Sequence, residues 1–281
     1  MPVCQPSRPF LRHLALRACW LGLILGLGNL QAQPAPTKPP APVLLPGEGL
    51  AITLDDEQVL TYGEVSREHP MGSLAKLLWM RLEGADWSGR GVQFKCTGKL
   101  GTFSCWNHQG HGRVDLAKAL QQSCNLAFLA WIADSQEHWK KDYGEAAGRA
   151  RMEEVFGSFL GRRLPVGDAL PPLTPAWVGD GELLRTSPEA FLHWLMDPGN
   201  AEVSSFGRRM LAGQWVDVKN LLGNESWWFK TGTAPVPGDP SATSAWVAGG
   251  CGPVLFVFHA PRGSGRVEGM TRVKAILGLK G

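Results

Sequence analysis

Met71-Gly-Ser-Leu-Ala-Lys-Leu-Leu-Trp-Met80 sets apolar residues at 74, 77, 78 and, just beyond it, 82, the spacing of one helical face. Pro70 stands just upstream and Gly84 just downstream, so the pattern predicts a helix that Ser73 opens and that stops at Gly84. Ser73 and Lys76 then share a face, where an amine can take the proton of a hydroxyl. Burial near the positive helix N-terminus would lower the lysine pKa toward a neutral base and favour negative charge developing at the serine. Taken alone, the pair also reads as a capping serine and a solvated lysine.

Outward from this helix the chain organises itself. Leu50-Ala-Ile-Thr-Leu54 and Gln58-Val-Leu-Thr-Tyr62 read as strands around the turn Asp55-Asp-Glu57. A helix-rich middle runs from Val114 to about Leu211, broken by Pro165, Pro171, Pro172, Pro175 and Pro198. Strands return at Ser226-Trp-Trp-Phe-Lys230, Ser244-Ala-Trp-Val-Ala-Gly249 and Pro253-Val-Leu-Phe-Val-Phe-His259, followed by a helix around Thr271 to Leu277. Strands at both ends with helices between predict an α+β fold: one antiparallel sheet built from both termini, with helices on its faces.

Two further strings carry side chains suited to acyl chemistry. Ser123-Cys-Asn125 lies in a break between the helical patterns Val114–Gln122 and Leu126–Trp131; its hydroxyl could pass a proton to a leaving amine and its carboxamide could hold a substrate amide. Ordinary Ser/Asn turn chemistry is the alternative. Lys230-Thr-Gly-Thr233 ends an aromatic strand. Gly232 lets another chain approach the strand edge, and Lys230, Thr231 and Thr233 could bind a carboxylate; alone, the string is a β-turn.

In this order the strings form an S-x-x-K, S-x-N, K-T-G set that resembles the transpeptidase domain of penicillin-binding proteins and its β-lactamase relatives. His111-Gly-Arg-Val-Asp-Leu-Ala-Lys-Ala-Leu-Gln-Gln-Ser-Cys-Asn125 is similar to the segment leading into the second motif of high-molecular-weight members. Gly179-Asp-Gly-Glu-Leu-Leu-Arg-Thr-Ser-Pro188 is similar to their G-x-G-x-L-x-x-T-P segment. The resemblance covers about residues 45 to 281 and implies a β-lactamase/transpeptidase-like fold.

The resemblance further implies that Ser73 is acylated with Lys76 as its general base, that Ser123 relays a proton to the departing amine, and that Asn125 binds the substrate amide. Lys230, Thr231 and Thr233 would orient a terminal carboxylate, with the backbone amides of Ser73 and Thr233 as the oxyanion hole. It implies no metal or organic cofactor. Expected ligands are D-Ala-D-Ala peptidoglycan stem peptides and β-lactams, with partners among cell-wall synthesis proteins. Class D β-lactamases usually carry valine where Asn125 stands and phenylalanine where Ala75 stands, and the class A string E-x-x-L-N is unmatched by Glu182-Leu-Leu-Arg185. This favours a transpeptidase or DD-carboxypeptidase over a class D-like β-lactamase. A β-lactam sensor and a catalytically silent cell-wall-binding module remain alternatives. A Ser-His-Asp hydrolase is disfavoured, because no G-x-S-x-G elbow is present.

Composition restricts the setting. A net charge of +3 over 281 residues, with no Lys/Arg-rich run, gives no footprint for nucleic acid. Arg8, Arg12 and Arg17 precede the apolar run Ala18–Leu27, with small or polar residues around Ala32, a secretory signal pattern over 1–32. The run is short of the roughly 20 residues of a spanning helix, which makes an uncleaved anchor the lesser reading. A proline-rich tether covers 33–42 and the folded domain 43–281. Export to a periplasmic or extracellular space makes oxidised cysteines plausible, so Cys96 and Cys105, flanking a turn-forming stretch, are expected to form a disulfide. The alternative is a metal site, since His108 and His111 follow closely. Cys124 and Cys251 read as small buried residues, and the twelve tryptophans mostly as core and pocket material.

Overall fold

In the computed structural model, which describes residues 41–53, 58–160, 169–197, 200, 210–211, 227–252 and 254–279, the strands from the two ends of the chain meet in one sheet. The elements are β1 (Gly49–Thr53), β2 (Val59–Gly63), β3 (His69–Pro70), α1 (Ala75–Arg90), β4 (Gln93–Cys96), β5 (Lys99–Leu100), β6 (Phe103–Ser104), β7 (Gly112–Asp115) and α2 (Leu116–Gln121). They continue with α3 (Asn125–Asp142), α4 (Glu145–Phe156), β8 (Arg185–Thr186), α5 (Pro188–Met196), β9 (Trp228–Val236), β10 (Asp239–Cys251), β11 (Val254–Ala260) and α6 (Met270–Ile276). The main sheet is antiparallel with the order β2-β1-β11-β10-β9. Strands β3 and β8, β4 and β7, and β5 and β6 form three separate pairs. The expected α+β architecture, with its sheet from both termini, is what the chain adopts.

Side chains alternate between the two faces of a strand, and in β11 that alternation divides two cores. Leu255 and Val257 join Trp246, Ala248 and the helical middle. Phe256 and Phe258 join Phe229, Val247 and the terminal helix through Met270 and Val273. Both faces of the central strands are therefore covered, which explains why β11 reads as a near-continuous apolar run. On the helical side, Trp79 of α1 stacks on Trp87, meets Phe156 at a tilt and Trp177 edge-on, so these tryptophans are core.

Three boundaries differ from expectation. Val114, read as the start of the helical middle, lies in β7, and the helix begins only at Leu116, after Asp115 caps it by accepting from the Lys118 amide. Helix α1 passes through Gly84 and ends at Arg90, capped by Gly91 in the left-handed region at φ 61°; at Gly84 an added Cβ would stand 2.9 Å from Met80 Cε, so the glycine makes room for that side chain and the terminating conformation falls to Gly91. Lys230-Thr-Gly-Thr233 does not end β9 but lies inside it. The strand continues through Pro235 because β9 is an edge, paired only with β10, and an edge strand tolerates the missing amide. The expected signal segment and tether up to residue 40, the turn at 55–57, and Pro165 and Pro198 lie outside the described residues.

Candidate active site

Ser73 lies in a 3-10 turn, Gly72–Leu74, that leads directly into α1. Backbone crossings hold this turn. Gly72 has φ +55°, and a Cβ there would stand 2.6 Å from the carbonyl oxygen of Thr233. Gly179, at φ +89°, would place a Cβ 1.8 Å from the Gly72 oxygen. Only glycine fits between such chains at these backbone angles. Trp246 of β10 donates to the Pro70 carbonyl at 2.8 Å, and the Met71 amide to Leu184 at 3.1 Å. The nucleophile turn is thus clamped between β9 and the 177–184 segment, which brings the backbone at Ser73 against that at Thr233.

Lys76 is fully buried on the first turn of α1. Its Nζ lies 3.0 Å from Ser73 Oγ, 2.7 Å from Asn125 Oδ1 and 3.0 Å from the Val178 carbonyl. Burial pushes its pKa down to about 8. A neutral amine has two N–H donors and one lone pair. The Asn125 and Val178 oxygens can accept the two donors, leaving the lone pair for the Ser73 hydroxyl. Trp79 Nε1 donates to the Trp177 carbonyl at 2.7 Å and so fixes the segment that carries Val178.

Ser123 sits at φ +52°, the only non-glycine residue with positive φ among those described. The indole N–H of Trp106 supports that turn by reaching the carbonyls of Gln122 and Ser123 at 3.1 and 3.2 Å. Lys230 is also buried; its Nζ donates to Ser123 Oγ at 2.5 Å and to the Thr231 carbonyl at 2.7 Å. Burial, and then the nearby Lys76 charge, lower the Lys230 pKa well below its ordinary value. Two polar groups thus stand side by side, Lys76 with Ser73 and Asn125, and Lys230 with Ser123.

A cavity of about 600 Å³ opens onto these groups. Ser73, Ser123 and Asn125 line it, as do Thr231 and Thr233, alternate residues of β9. Gly232 lies between these last two against the nucleophile turn, where a Cβ would stand 3.0 Å from the Met71 oxygen. The Thr233 hydroxyl accepts from the Gly265 amide at 3.0 Å, so it also ties β9 to the next layer. Lys230 faces the polar groups, its Nζ engaged by Ser123 and the Thr231 carbonyl. Arg266 lines the same cavity and is a cation that the motif strings did not single out. Nothing in its local sequence marks it; only the packing of residues 265–269 beside β9 brings it there.

The disulfide expected between Cys96 and Cys105 is not formed: the four described cysteines are free thiols. Cys124, expected to be an inert buried residue, reaches the pair instead, and His111 Nδ1 lies 3.5 Å from Cys105 Sγ. Donation from Cys124 holds the Cys105 thiol down at about 4 and raises Cys124. His108, the other histidine of the alternative metal reading, lies apart from this group and lines the cavity.

No protein-family model matches the chain, and no curated protein does. Solved structures do. Penicillin-binding protein PBP2 of Pseudomonas aeruginosa, in complex with WCK 5153, is similar over 83% of this chain and 73% of its own, at 14% identity and a TM-score of 0.54. The class D β-lactamase BAT-2 is similar over 82% and 90%, at 16% identity and a TM-score of 0.51. The C-terminal domain of the Bacillus licheniformis BlaR penicillin receptor is similar over 83% and 89%, at 14% identity and a TM-score of 0.51. The chain has the fold shared by the penicillin-recognising serine enzymes.

Proposed function

We propose that the protein is a serine acyl enzyme acting on D-Ala-D-Ala peptidoglycan stem peptides, as a transpeptidase or DD-carboxypeptidase, through an acyl-Ser73 intermediate. The observation that carries this reading is the buried Lys76 amine 3.0 Å from Ser73 Oγ, with Asn125 and Val178 accepting its other donors. Ser73 Oγ attacks the carbonyl of the penultimate residue while its proton passes to Lys76 Nζ. The backbone amides of Ser73 and Thr233 receive the oxyanion, the role such donors fill in acyl transfer. As the C–N bond breaks, the departing amine takes its proton from the Ser123 hydroxyl, which Lys230 Nζ replenishes across 2.5 Å. An amine or a water then attacks the ester and gives its proton to Ser123 and so to Lys230, while Lys76 returns a proton to Ser73 Oγ as the C–O bond breaks, which restores both lysines and the free serine.

Asn125 lines the cavity and offers its carboxamide N–H groups to the substrate amide, because its oxygen is engaged by Lys76. The terminal carboxylate meets Thr231, Thr233 and Arg266. An exported location, with 1–32 as the signal segment, accords with such a substrate, and β-lactams fit as mimics of it.

A fluorescent penicillin tests the reading. The purified protein should label covalently, and Ser73→Ala should not; an unlabelled wild type sinks the proposal. The lifetime of the adduct separates activities: persistence for many minutes supports the peptidase reading, whereas release within seconds shows a β-lactamase.

A further inference from the structure

We propose that Cys96, Cys105, His111 and Cys124 bind one zinc ion in a tetrahedral Cys3His site, and that the ion, by holding Cys124, positions the flanking Ser123 and Asn125. The metal half stands on the four side chains alone. The positioning half rests on the function proposed above.

One ligand atom from each of the four residues lies within 4.8 Å of all the others. Cys105 Sγ and His111 Nδ1 are 3.5 Å apart. Zinc takes sulfur at about 2.3 Å and imidazole nitrogen at about 2.0–2.1 Å, which puts two tetrahedral ligands about 3.5–3.8 Å from each other. Small side-chain rotations therefore close the group on an ion. The three cysteines are buried, and the other ring nitrogen of His111 is buried with no partner among the described residues. Thiolates with one imidazole in a tetrahedral arrangement select zinc over the hard cations that prefer oxygen.

The surrounding segment has a physical need for such an ion. Within β4, β5 and β6 Cys96 alone is fully buried, and Lys99 and Leu100 are exposed. Segments that bury so little apolar surface are commonly stapled by a disulfide or a metal, and no disulfide is present among the described cysteines. The backbone is instead folded for convergence. Gly98 and Gly110 have φ of +88° and +84°, and a Cβ on them would stand 2.0 Å from the His108 oxygen and 2.3 Å from the Cys96 oxygen. These crossings press the two turns together, and the Cys105 amide donates to Gly98 at 2.9 Å. Cys96, Cys105 and His111 thus come from one doubly folded loop. Cys124 arrives from the N-cap of α3, its amide held by Ala119 at 2.9 Å. A single disulfide would use two of the sulfurs and leave the third buried beside the imidazole.

Cys124 is also the middle residue of Ser123-Cys-Asn125. Its neighbours reach Lys230 and Lys76 at 2.5 and 2.7 Å. A bond to its sulfur therefore fixes the residue between the two that contact the lysines.

The test uses the full chain purified under reducing conditions. Elemental analysis should find about one zinc per chain, and replacement by Co(II) should give thiolate-to-cobalt charge-transfer absorption together with the intense visible bands of a tetrahedral site. Ser73→Ala and Cys251→Ser should keep the ion, whereas Cys105→Ser and His111→Ala should lose most of it. A reduced, folded wild type that takes up no zinc and gives no tetrahedral cobalt spectrum overturns the metal site, as does a Cys96–Cys105 disulfide in protein recovered from an oxidising compartment. Removing zinc from protein that stays folded by circular dichroism should slow penicillin acylation about tenfold or more, in line with the cost of small misplacements, and zinc should restore it. Acylation indifferent to zinc overturns the positioning half. A protein that binds zinc but never labels overturns the proposed function and its positioning role, while the cobalt spectrum still decides the metal site.

Discussion

The sheet and the loop-rich lobe from β4 to the start of α3 face the same cavity but hold their residues in different ways. Strand β9 carries Thr231 and Thr233 by register with β10, itself backed by two apolar cores. The lobe carries Ser123 and Asn125 beside four polar ligand groups and short, mostly exposed strands. Many small apolar contacts make positions on the sheet insensitive to the loss of any one of them. In the lobe a few polar groups and tight turns carry the positioning, so the loss of one is expected to matter more. The candidate active site is therefore expected to have one half that tolerates single losses better than the other.

The largest effect tests what joins the halves. Lys76 belongs to the sheet-side helix yet contacts Asn125 from the lobe, and Lys76→Ala should slow penicillin acylation by about 10²–10⁴-fold, the usual scale of general-base catalysis. In the wild type the amine is neutral above its lowered pKa, so the acylation rate should rise as pH climbs through about 8. A stopped-flow profile flat from pH 7 to 9 would sink the assignment of Lys76 as base.

Next in size is a direct contrast of stability. Trp79→Ala should cost about 3–5 kcal/mol in urea unfolding, as for other buried tryptophans. Phe103→Ala, in a half-buried lobe position, should cost about 1 kcal/mol or less. Equal losses would break the comparison.

A third effect lies where the main sheet meets β3. His259 of β11 stacks on His69 at 3.9 Å, and burial lowers their pKa values to about 3 and about 4. The unfolded chain binds protons at these residues below about pH 6.5 while the folded one does not, so stability is present above that pH and is lost as pH falls toward 3. The loss should amount to a few kcal/mol at most, visible as a falling melting temperature. His259→Phe should flatten that fall; an unchanged acid slope would show that other groups cause it. The smallest effect is at the rim. Arg266→Ala should raise the penicillin concentration needed for half-maximal labelling by up to about tenfold, the scale of one charged hydrogen bond.

What could be read along the chain was what local spacing encodes. Ser73 and Lys76 one helical turn apart, Asn125 at a helix start, and Lys230 on a strand all follow from patterns a few residues long. The clamp of Gly179 on Gly72 did not, because it joins segments 107 residues apart and each glycine looks like an ordinary turn residue. Cys124 reads as a small buried residue, since nothing nearby in sequence reveals that Cys96, Cys105 and His111 arrive beside it. Lys230-Thr-Gly-Thr233 reads as the end of an aromatic strand, and only the sheet order shows that β9 runs on through Pro235 along a free edge.

One backbone angle has a consequence for how the protein can change. Ser123 at φ +52° occupies a region where most side chains cost about 1 kcal/mol or more relative to glycine. A glycine there would relax the turn and discard the hydroxyl that meets Lys230. Screens that reward heat resistance without asking for acylation will therefore drift toward glycine at this position, trading reactivity for robustness at the second motif before the others.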